Sequence, residues 1–238
     1  MKKLGIIAAM EVESKLILDA LKKNGGLKET KAGGTVFYEG SIGSKQIVLA
    51  RSGVGKVNGA LCAQRMVLQF GADFIINSGI AGAIGKGLGV FDVVVSSDAV
   101  YHDMDAVAWG YKVCQVPQMD VFSFEADKKT VAAIQEIFPT LPEAKGHKLA
   151  VGRVASGDQF VADKALKERI IKNCAPLCVE MEGAAVAHAA YLCGVPFVIL
   201  RTLSDMADEG EGTTYVFNEE TAAHLSGAIL LAIIGKMR

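Results

Sequence analysis

Cys178-Val-Glu-Met-Glu182-Gly-Ala-Ala-Val-Ala-His188-Ala-Ala-Tyr-Leu-Cys193-Gly-Val-Pro196-Phe-Val-Ile-Leu-Arg201-Thr-Leu-Ser204-Asp205 decides the fold. From Gly183 to Leu200 the chain carries no Asp, Glu, Lys or Arg over 18 residues. His188, Gly194 and Pro196 interrupt that stretch, so it reads as a buried Ala-rich helix over Glu182 to Cys193 that turns into a buried strand, and not as a membrane span. Phe197 to Leu203 is apolar without alternation, the pattern of a strand covered on both faces. A helix between two strands implies a crossover unit and a sheet layered with helices.

The same rhythm extends outward in both directions. Apolar, β-branched runs at Leu4 to Ala9, Gln46 to Ala50, Asp73 to Asn77, Val90 to Ser96 and Leu149 to Ala155 read as strands. Helices are expected over Glu11 to Lys23, Val57 to Phe70, Asp127 to Phe138, Asp163 to Cys174 and Asn218 to Lys236, the last with Leu225, Ile229, Ala232 and Ile233 on one face. Thr35 to Glu39 beside Gln46 to Ala50, around Gly40 and Gly43, suggests a hairpin. The expected fold is therefore α/β, a three-layer α/β/α sandwich with a mixed, mostly parallel central sheet. No Pro/Ser/Gly-rich linker or charge block divides residues 1–238, which read as one domain.

Composition narrows the function. Hydrophobic residues make up 51% of the 238, enough for a sizeable core and against disorder. Formal charge is -1, from 25 Lys+Arg against 26 Asp+Glu, so the electrostatic footprint of nucleic-acid or anionic-membrane binding is missing. A small polar ligand is the expected partner. Cys62, Cys114, Cys174, Cys178 and Cys193 are odd in number and form no C-x-x-C, which reads as buried thiols in a reducing compartment. Lys2 and Lys3 before Leu4 to Met10 mimic a secretory start, but the apolar run is short and meets Glu11 and Glu13 with no A-x-A site. The expected location is the cytoplasm.

The nucleotide fingerprints fail. Gly53-Val-Gly55-Lys-Val-Asn58 puts Asn where G-x-G-x-x-G needs its third glycine, and neither Gly55-Lys56-Val57 nor Gly85-Lys86-Gly87 supplies the Ser/Thr of a phosphate loop. What remain are Gly-rich turns after strands, at Ser52 to Gly59 and Ser78 to Gly82, which bring backbone N–H groups close to a ligand or merely pack helix on strand. Carboxylates gather at strand ends. Glu11 and Glu13 follow the first strand, where open α/β folds bind ligands, although either also suits a helix N-terminus. Glu180 and Glu182 flank Met181 at the edge of a core, and helix charge explains one of them better than two. Ser204 and Asp205 end a strand containing Arg201, with a simple helix cap as the plainer reading. Tyr101-His-Asp-Met-Asp105 clusters His and carboxylates, but its spacing fits no defined metal motif. His147, His188 and His224 stand alone as structural residues. No metal and no cofactor are expected, and without G-x-S-x-G or a reactive-Cys signature acyl transfer has no support.

At these residues the sequence resembles the 5′-methylthioadenosine/S-adenosylhomocysteine nucleosidases, members of the purine nucleoside phosphorylase superfamily, nearly end to end. The matching stretches are Gly5-Ile-Ile-Ala-Ala-Met-Glu-Val-Glu13, Ser52-Gly-Val-Gly-Lys-Val57, Ile75-Ile-Asn-Ser-Gly79, Tyr101-His-Asp103, Ser156-Gly-Asp-Gln-Phe160, Val179-Glu-Met-Glu182 and Ser204-Asp205. The resemblance implies hydrolysis of the bond between adenine N9 and ribose C1′ through an oxocarbenium-like transition state. Asp205 matches the general acid that protonates adenine N7, with Ser204 orienting it. Glu13 matches the carboxylate that activates water, and Glu182 the one that grips the ribose 2′- and 3′-hydroxyls, with Arg201 and the Met181 backbone nearby and Glu180 in support. Phe160 matches the adenine-stacking residue, with Val161 offering backbone groups to the base edge. Met10, Val54, Met181 and Phe217 match an apolar pocket for the 5′-thio group. Ala106, Trp109 and Tyr111 lie where the family uses a neighbouring subunit's segment, which implies a homodimer; the plainer reading of Trp109 is a surface aromatic.

The same superfamily performs phosphorolysis and also includes binding proteins. Phosphate binding there uses arginines, one of them at the position of Asn77, and Glu13 would repel phosphate where water should sit. Glu13, Glu182 and Asp205 together argue for catalysis. Two departures stand out: Ile80 and Ala83 replace a small hydroxyl residue and a glycine common in the family, which loosens the expected reach of Ser78 toward the sugar, and the segment Asp208 to Thr214 differs in length. 5′-Deoxyadenosine and aminodeoxyfutalosine are further substrates that the resemblance allows.

Overall fold

In a computed structural model, which describes residues 3–207 and 212–236 without the side chains of 212–217, the alternation resolves into strands and helices. In chain order these are β1 (Lys3–Ala8), α1 (Glu11–Lys23), β2 (Lys28–Ala32), β3 (Thr35–Ile42), β4 (Lys45–Arg51), α2 (Lys56–Leu68), β5 (Phe74–Ala83), β6 (Val93–Tyr101), β7 (Phe124–Glu125), α3 (Lys128–Ile137), β8 (Leu149–Ser156), α4 (Lys164–Cys174), β9 (Cys178–Glu180), α5 (Gly183–Leu192), β10 (Phe197–Asp205) and α6 (Gly212–Lys236). The hairpin is present, as β3 pairs antiparallel with β4 around Gly43. The run that mimics a secretory start is β1, flanked on both sides by β4 and β5. None of the described helices is long and apolar enough to cross a membrane.

Helices cover a mixed sheet as expected, but the mostly parallel three-layer sandwich differs from the structure in two respects. Among the described residues, five pairings are parallel and five antiparallel. The sheet also closes on itself: β10 pairs with β6 and β5, β6 with β8, β8 with β9, and β9 with β5, a ring of five strands. Closure removes the edges that an open sheet would expose. β1, β4, β3 and β2 continue outward from β5 as the open arm.

β5 holds the two parts together. Its first half lies between β1 and β10, and its end, Gly82 and Ala83, pairs with β9. Every residue of β5 is buried, and its second half is built mostly from Ser, Gly and Ala, whose small side chains leave room for the groups converging on it. The expectation of a turn at Ser78 to Gly82 is corrected here, because strand pairing to β10 continues through it.

Local chemistry sets the helix ends. Asp127 and Asp163 accept hydrogen bonds from Thr130 N (2.8 Å) and Leu166 N (2.8 Å) at the starts of α3 and α4. α1 carries Glu11 and Glu13 in its first turn and Lys22 and Lys23 in its last, matching the helix dipole, and buries Ile17 and Leu21 one turn apart. The five cysteines are free thiols, four of them buried.

Candidate active site

The carboxyl ends of β1, β8, β9 and β10 and the second half of β5 surround a cleft of about 220 Å³. Glu13, Glu180, Glu182 and Asp205 line it together with an apolar wall that includes Met10, Val54, Phe160, Val161 and Met181, and no lysine or arginine is among the described lining residues. Four acids and an apolar wall suit a neutral ligand rich in hydrogen-bond donors and oppose an anion.

Glu13 combines the helix-start reading and the site reading. It occupies the third position of α1, and its Oε2 accepts the N–H groups of Ala9 (2.9 Å) and Met10 (2.9 Å), tying the end of β1 to the helix start. Its Oε1 accepts the Ile80 N–H from β5 at 2.9 Å, which leaves a further lone pair on that oxygen. Gly79 makes this approach possible, since a Cβ there would collide with Glu13 Oε1 and Arg201 Nη1. Burial raises the Glu13 pKa above the carboxylate norm, against the pull of Arg201 and the three N–H donors.

Around β9 the two glutamates divide the work. Glu180 Oε2 accepts the N–H groups of Glu182 (3.0 Å) and Gly183 (2.8 Å), and so caps α5. Its Oε1 accepts from Ser156 Oγ, which in turn accepts the Ala184 N–H at 2.6 Å. Glu182 is thereby released from capping although it is the N-cap residue, and its Oε1 accepts the Gly55 N–H at 2.7 Å from the turn before α2. Burial, then the nearby Glu180, pushes its pKa up to about 7.

Arg201 is buried behind these acids, its side chain 1% exposed. Its Nη2 donates to Glu180 Oε2 and Asn77 Oδ1 and lies 3.8 Å from Glu182 Oε2, while Nη1 is 4.0 Å from Glu13 Oε1. Three carboxylates thus share one guanidinium. Removing the guanidinium would leave these buried carboxylates uncompensated, at a cost of about 3–5 kcal/mol.

Asp205 owes its placement to an irregularity. Pairing of β10 with β5 shifts register between Leu203 and Asp205, and a bulge of this kind turns a strand-end side chain away from the ladder. Asp205 Oδ2 accepts from Ser204 Oγ (2.8 Å), and Oδ1 accepts the Ala207 N–H (2.7 Å).

Ten of the residues singled out from the sequence therefore meet at one cleft: Met10, Glu13, Val54, Phe160, Val161, Glu180, Met181, Glu182, Ser204 and Asp205. Ser78 is a correction. It is 3% exposed and does not line the cleft, its hydroxyl lying 3.1 Å from Ser226 Oγ of α6. Arg201 likewise stands behind the cleft and not in its wall. Ala106, Trp109 and Tyr111 do not line it, and Trp109 is 79% exposed. The Phe217 side chain lies outside the described residues, as does the segment Asp208 to Glu211, the larger part of Asp208 to Thr214. Sequence reasoning gave no role to Ser156, which props Glu180, and read Asn77 only as a missing arginine, whereas it holds Arg201 and donates to Ile7 O at 3.1 Å.

The sequence model of the phosphorylase superfamily matches residues 3–235. A 5′-methylthioadenosine/S-adenosylhomocysteine nucleosidase of Treponema pallidum is 39% identical, over 98% of this chain and 93% of its own length. The chain belongs to the phosphorylase superfamily, among its methylthioadenosine/S-adenosylhomocysteine nucleosidases. The crystal structure of the Neisseria meningitidis nucleosidase in complex with methylthio-immucillin-A superposes with a TM-score of 0.92 at 35% identity, over the whole of both chains. A futalosine hydrolase mutant of Helicobacter pylori strain 26695 superposes with a TM-score of 0.91 at 32% identity, again over the whole of both chains. The fold is therefore shared with these enzymes along its full length.

Proposed function

We propose that this nucleosidase hydrolyses the N9–C1′ bond of 5′-methylthioadenosine and S-adenosylhomocysteine, releasing adenine and the 5-thio-substituted ribose. The observation that carries the reading is the convergence of Glu13, Glu182 and Asp205 on one cleft whose described lining holds no cation. Breaking the bond needs a protonated leaving base, a held sugar and a directed water, and each carboxylate suits one of these tasks.

Asp205, oriented by Ser204, donates a proton to adenine N7, so that the C1′–N9 electron pair leaves with a neutral base. Glu182 accepts the ribose 2′- and 3′-hydroxyls on lone pairs that Gly55 N–H leaves open, and Arg201 holds that carboxylate from behind. Glu13 takes the proton of the attacking water, whose oxygen bonds to C1′ as positive charge develops there; its raised pKa brings it closer to the working pH of a base. Phe160 stacks on adenine while Val161 presents backbone groups to the base edge. Met10, Val54 and Met181 receive the thioether.

Several observations support the assembly. α2 and α5 leave Val57, Leu61, Leu68, Tyr191 and Leu192 exposed, and Val107 and Trp109 are exposed as well. Apolar surface of this extent fits a homodimer interface, with Ala106, Trp109 and Tyr111 closing the partner's 5′ pocket. One core cluster running from Leu4 to Ile234 supports a single domain over 1–238. The free thiols support a cytoplasmic location, and cleavage of these substrates fits a role in methionine salvage. Similarity to the futalosine hydrolase supports a second activity on aminodeoxyfutalosine, and 5′-deoxyadenosine fits the same apolar 5′ wall.

Adenine release from methylthioadenosine, S-adenosylhomocysteine, aminodeoxyfutalosine and adenosine, with hypoxanthine release from inosine beside it, tests the reading. Turnover is expected for the 5′-thio nucleosides, with adenosine slower because its 5′-hydroxyl loses a partner in the apolar wall and inosine slowest because its base edge is changed. Equal rates for all five, or none, would contradict it.

A further inference from the structure

Tyr101-His-Asp103 takes no part in the chemistry above, yet Asp103 is the meeting point of three segments. Its Oδ2 accepts from Lys56 Nζ at 2.6 Å and from the Asp158 N–H at 2.9 Å. Asp158 closes the triangle, its Oδ1 accepting the Lys56 N–H at 3.0 Å and its Oδ2 lying 3.4 Å from Lys56 Nζ. The Lys56 ammonium also sits 5.5 Å over the Tyr101 ring. Lys56 and Asp103 side chains are only 22% and 19% exposed, so solvent screens their attraction far less than it would a surface pair. Asp103 Oδ1 has no partner among the described residues, and the whole pairing runs through Oδ2.

What these contacts hold matters for the cleft. Asp158 is two residues before Phe160, and Lys56 follows Gly55, whose N–H binds Glu182, and Val54, which lines the cleft. His102 secures the same loop one residue earlier: its N–H donates to Ser156 O at 2.9 Å, and its ring fills the space where a Gly157 Cβ would stand. Glu13 and Asp205 are held by other groups altogether, the N–H groups of Ala9, Met10 and Ile80 in one case and Ser204 with Ala207 in the other.

We propose that Asp103 is a positioning residue, a latch that draws the Phe160 loop and the Val54–Lys56 turn together and so sets the width of the nucleoside cleft. The latch acts on the walls that grip the nucleoside and not on the proton donor or the water-binding carboxylate. Its loss therefore weakens binding of substrate and transition state alike, which raises KM and spares kcat. Burial works against the charge of Asp103, but Lys56 and the Asp158 N–H outweigh it and hold the carboxyl below the usual range, so the latch stays ionised wherever the enzyme works.

The inference rests on the proposed nucleosidase activity, and steady-state kinetics of methylthioadenosine cleavage by the full chain tests it. Asp103→Ala should raise KM about tenfold or more with kcat within about threefold of wild type. Lys56→Met should do the same, and the double variant should fall well short of the product of the two effects, because both remove one interaction. Asp103→Asn, which keeps an acceptor for the Asp158 N–H but loses the charge, should lie between. Wild-type KM in folded Asp103→Ala and Lys56→Met, or kcat falling in step with KM rising, would overturn the latch while leaving the activity standing. Should Asp103→Ala fail to fold, Lys56→Met and Asp103→Asn decide by the same criterion. No adenine release by the wild type would instead remove the nucleosidase reading itself.

Discussion

Glu182 Oε1 accepts the Gly55 N–H at 2.7 Å across 127 residues of chain, joining the start of α5 to the turn before α2. The bond holds a buried carboxylate whose pKa is pushed up to about 7, against 4.5 for the ordinary group. The folded state therefore binds this proton more tightly than the unfolded state, so the contribution of Glu182 to stability is most favourable below about 4.5 and declines as pH rises to about 7. Glu182→Gln keeps an acceptor for Gly55 and removes the charge. It should be more stable than wild type at alkaline pH, on the order of 2 kcal/mol, with the gap closing toward acid. Turnover should fall about 10²-fold, since an amide cannot accept both ribose hydroxyls. Thermal melts across pH check the first half; a destabilised variant at alkaline pH would contradict it.

Asp205→Asn keeps the shape of the side chain and removes the transferable proton. Adenine release should be lost while the melting temperature stays near wild type and adenine still binds. Near-wild-type turnover would take the acid role from Asp205.

Glu13→Gln should stop hydrolysis and keep ligand affinity, measured by calorimetry with adenine. It also has a structural cost, because Glu13 accepts three N–H groups and the amide nitrogen of Gln cannot accept any. The expected loss of stability is about 1–3 kcal/mol. Unchanged turnover would mean that another group directs the water.

Gly79→Ala tests the closeness of the buried charges. The added methyl would push Glu13 and Arg201 apart, so kcat should drop and stability should fall by about 1–3 kcal/mol. A variant with wild-type kcat would show that the cluster tolerates loosening.

Periodicity located most elements to within a residue or two; α1 is found at Glu11–Lys23 as the pattern predicts. What it missed has physical causes. β5 runs on to Ala83 because Ser78-Gly-Ile-Ala-Gly82 is a strand made small to admit Glu13 and Arg201, whereas Gly-rich composition ordinarily signals a turn. Closure of the ring depends on β10 pairing with both β5 and β6, a long-range register that no local window contains. β9 is three residues long, below what alternation can reveal. In the site, acids at strand ends were legible because a charge beside an apolar run demands an explanation. Ser156 and Asn77 were not, as polar residues in buried strands carry no signal until their partners are known. Ser78 was misplaced for a related reason: the strand register turns its hydroxyl to Ser226 and away from the cleft.

The most direct test of the central claim, that water and not phosphate attacks C1′, is the rate of adenine release from methylthioadenosine with and without inorganic phosphate, together with identification of the sugar product. Four acids line the cleft without a described cation, and Asn77 is engaged with Arg201 and Ile7, so the predicted result is an equal rate in both conditions and free methylthioribose as the only sugar. Release that requires phosphate and yields methylthioribose 1-phosphate would contradict it, and would show that an anion can sit beside Glu13 after all.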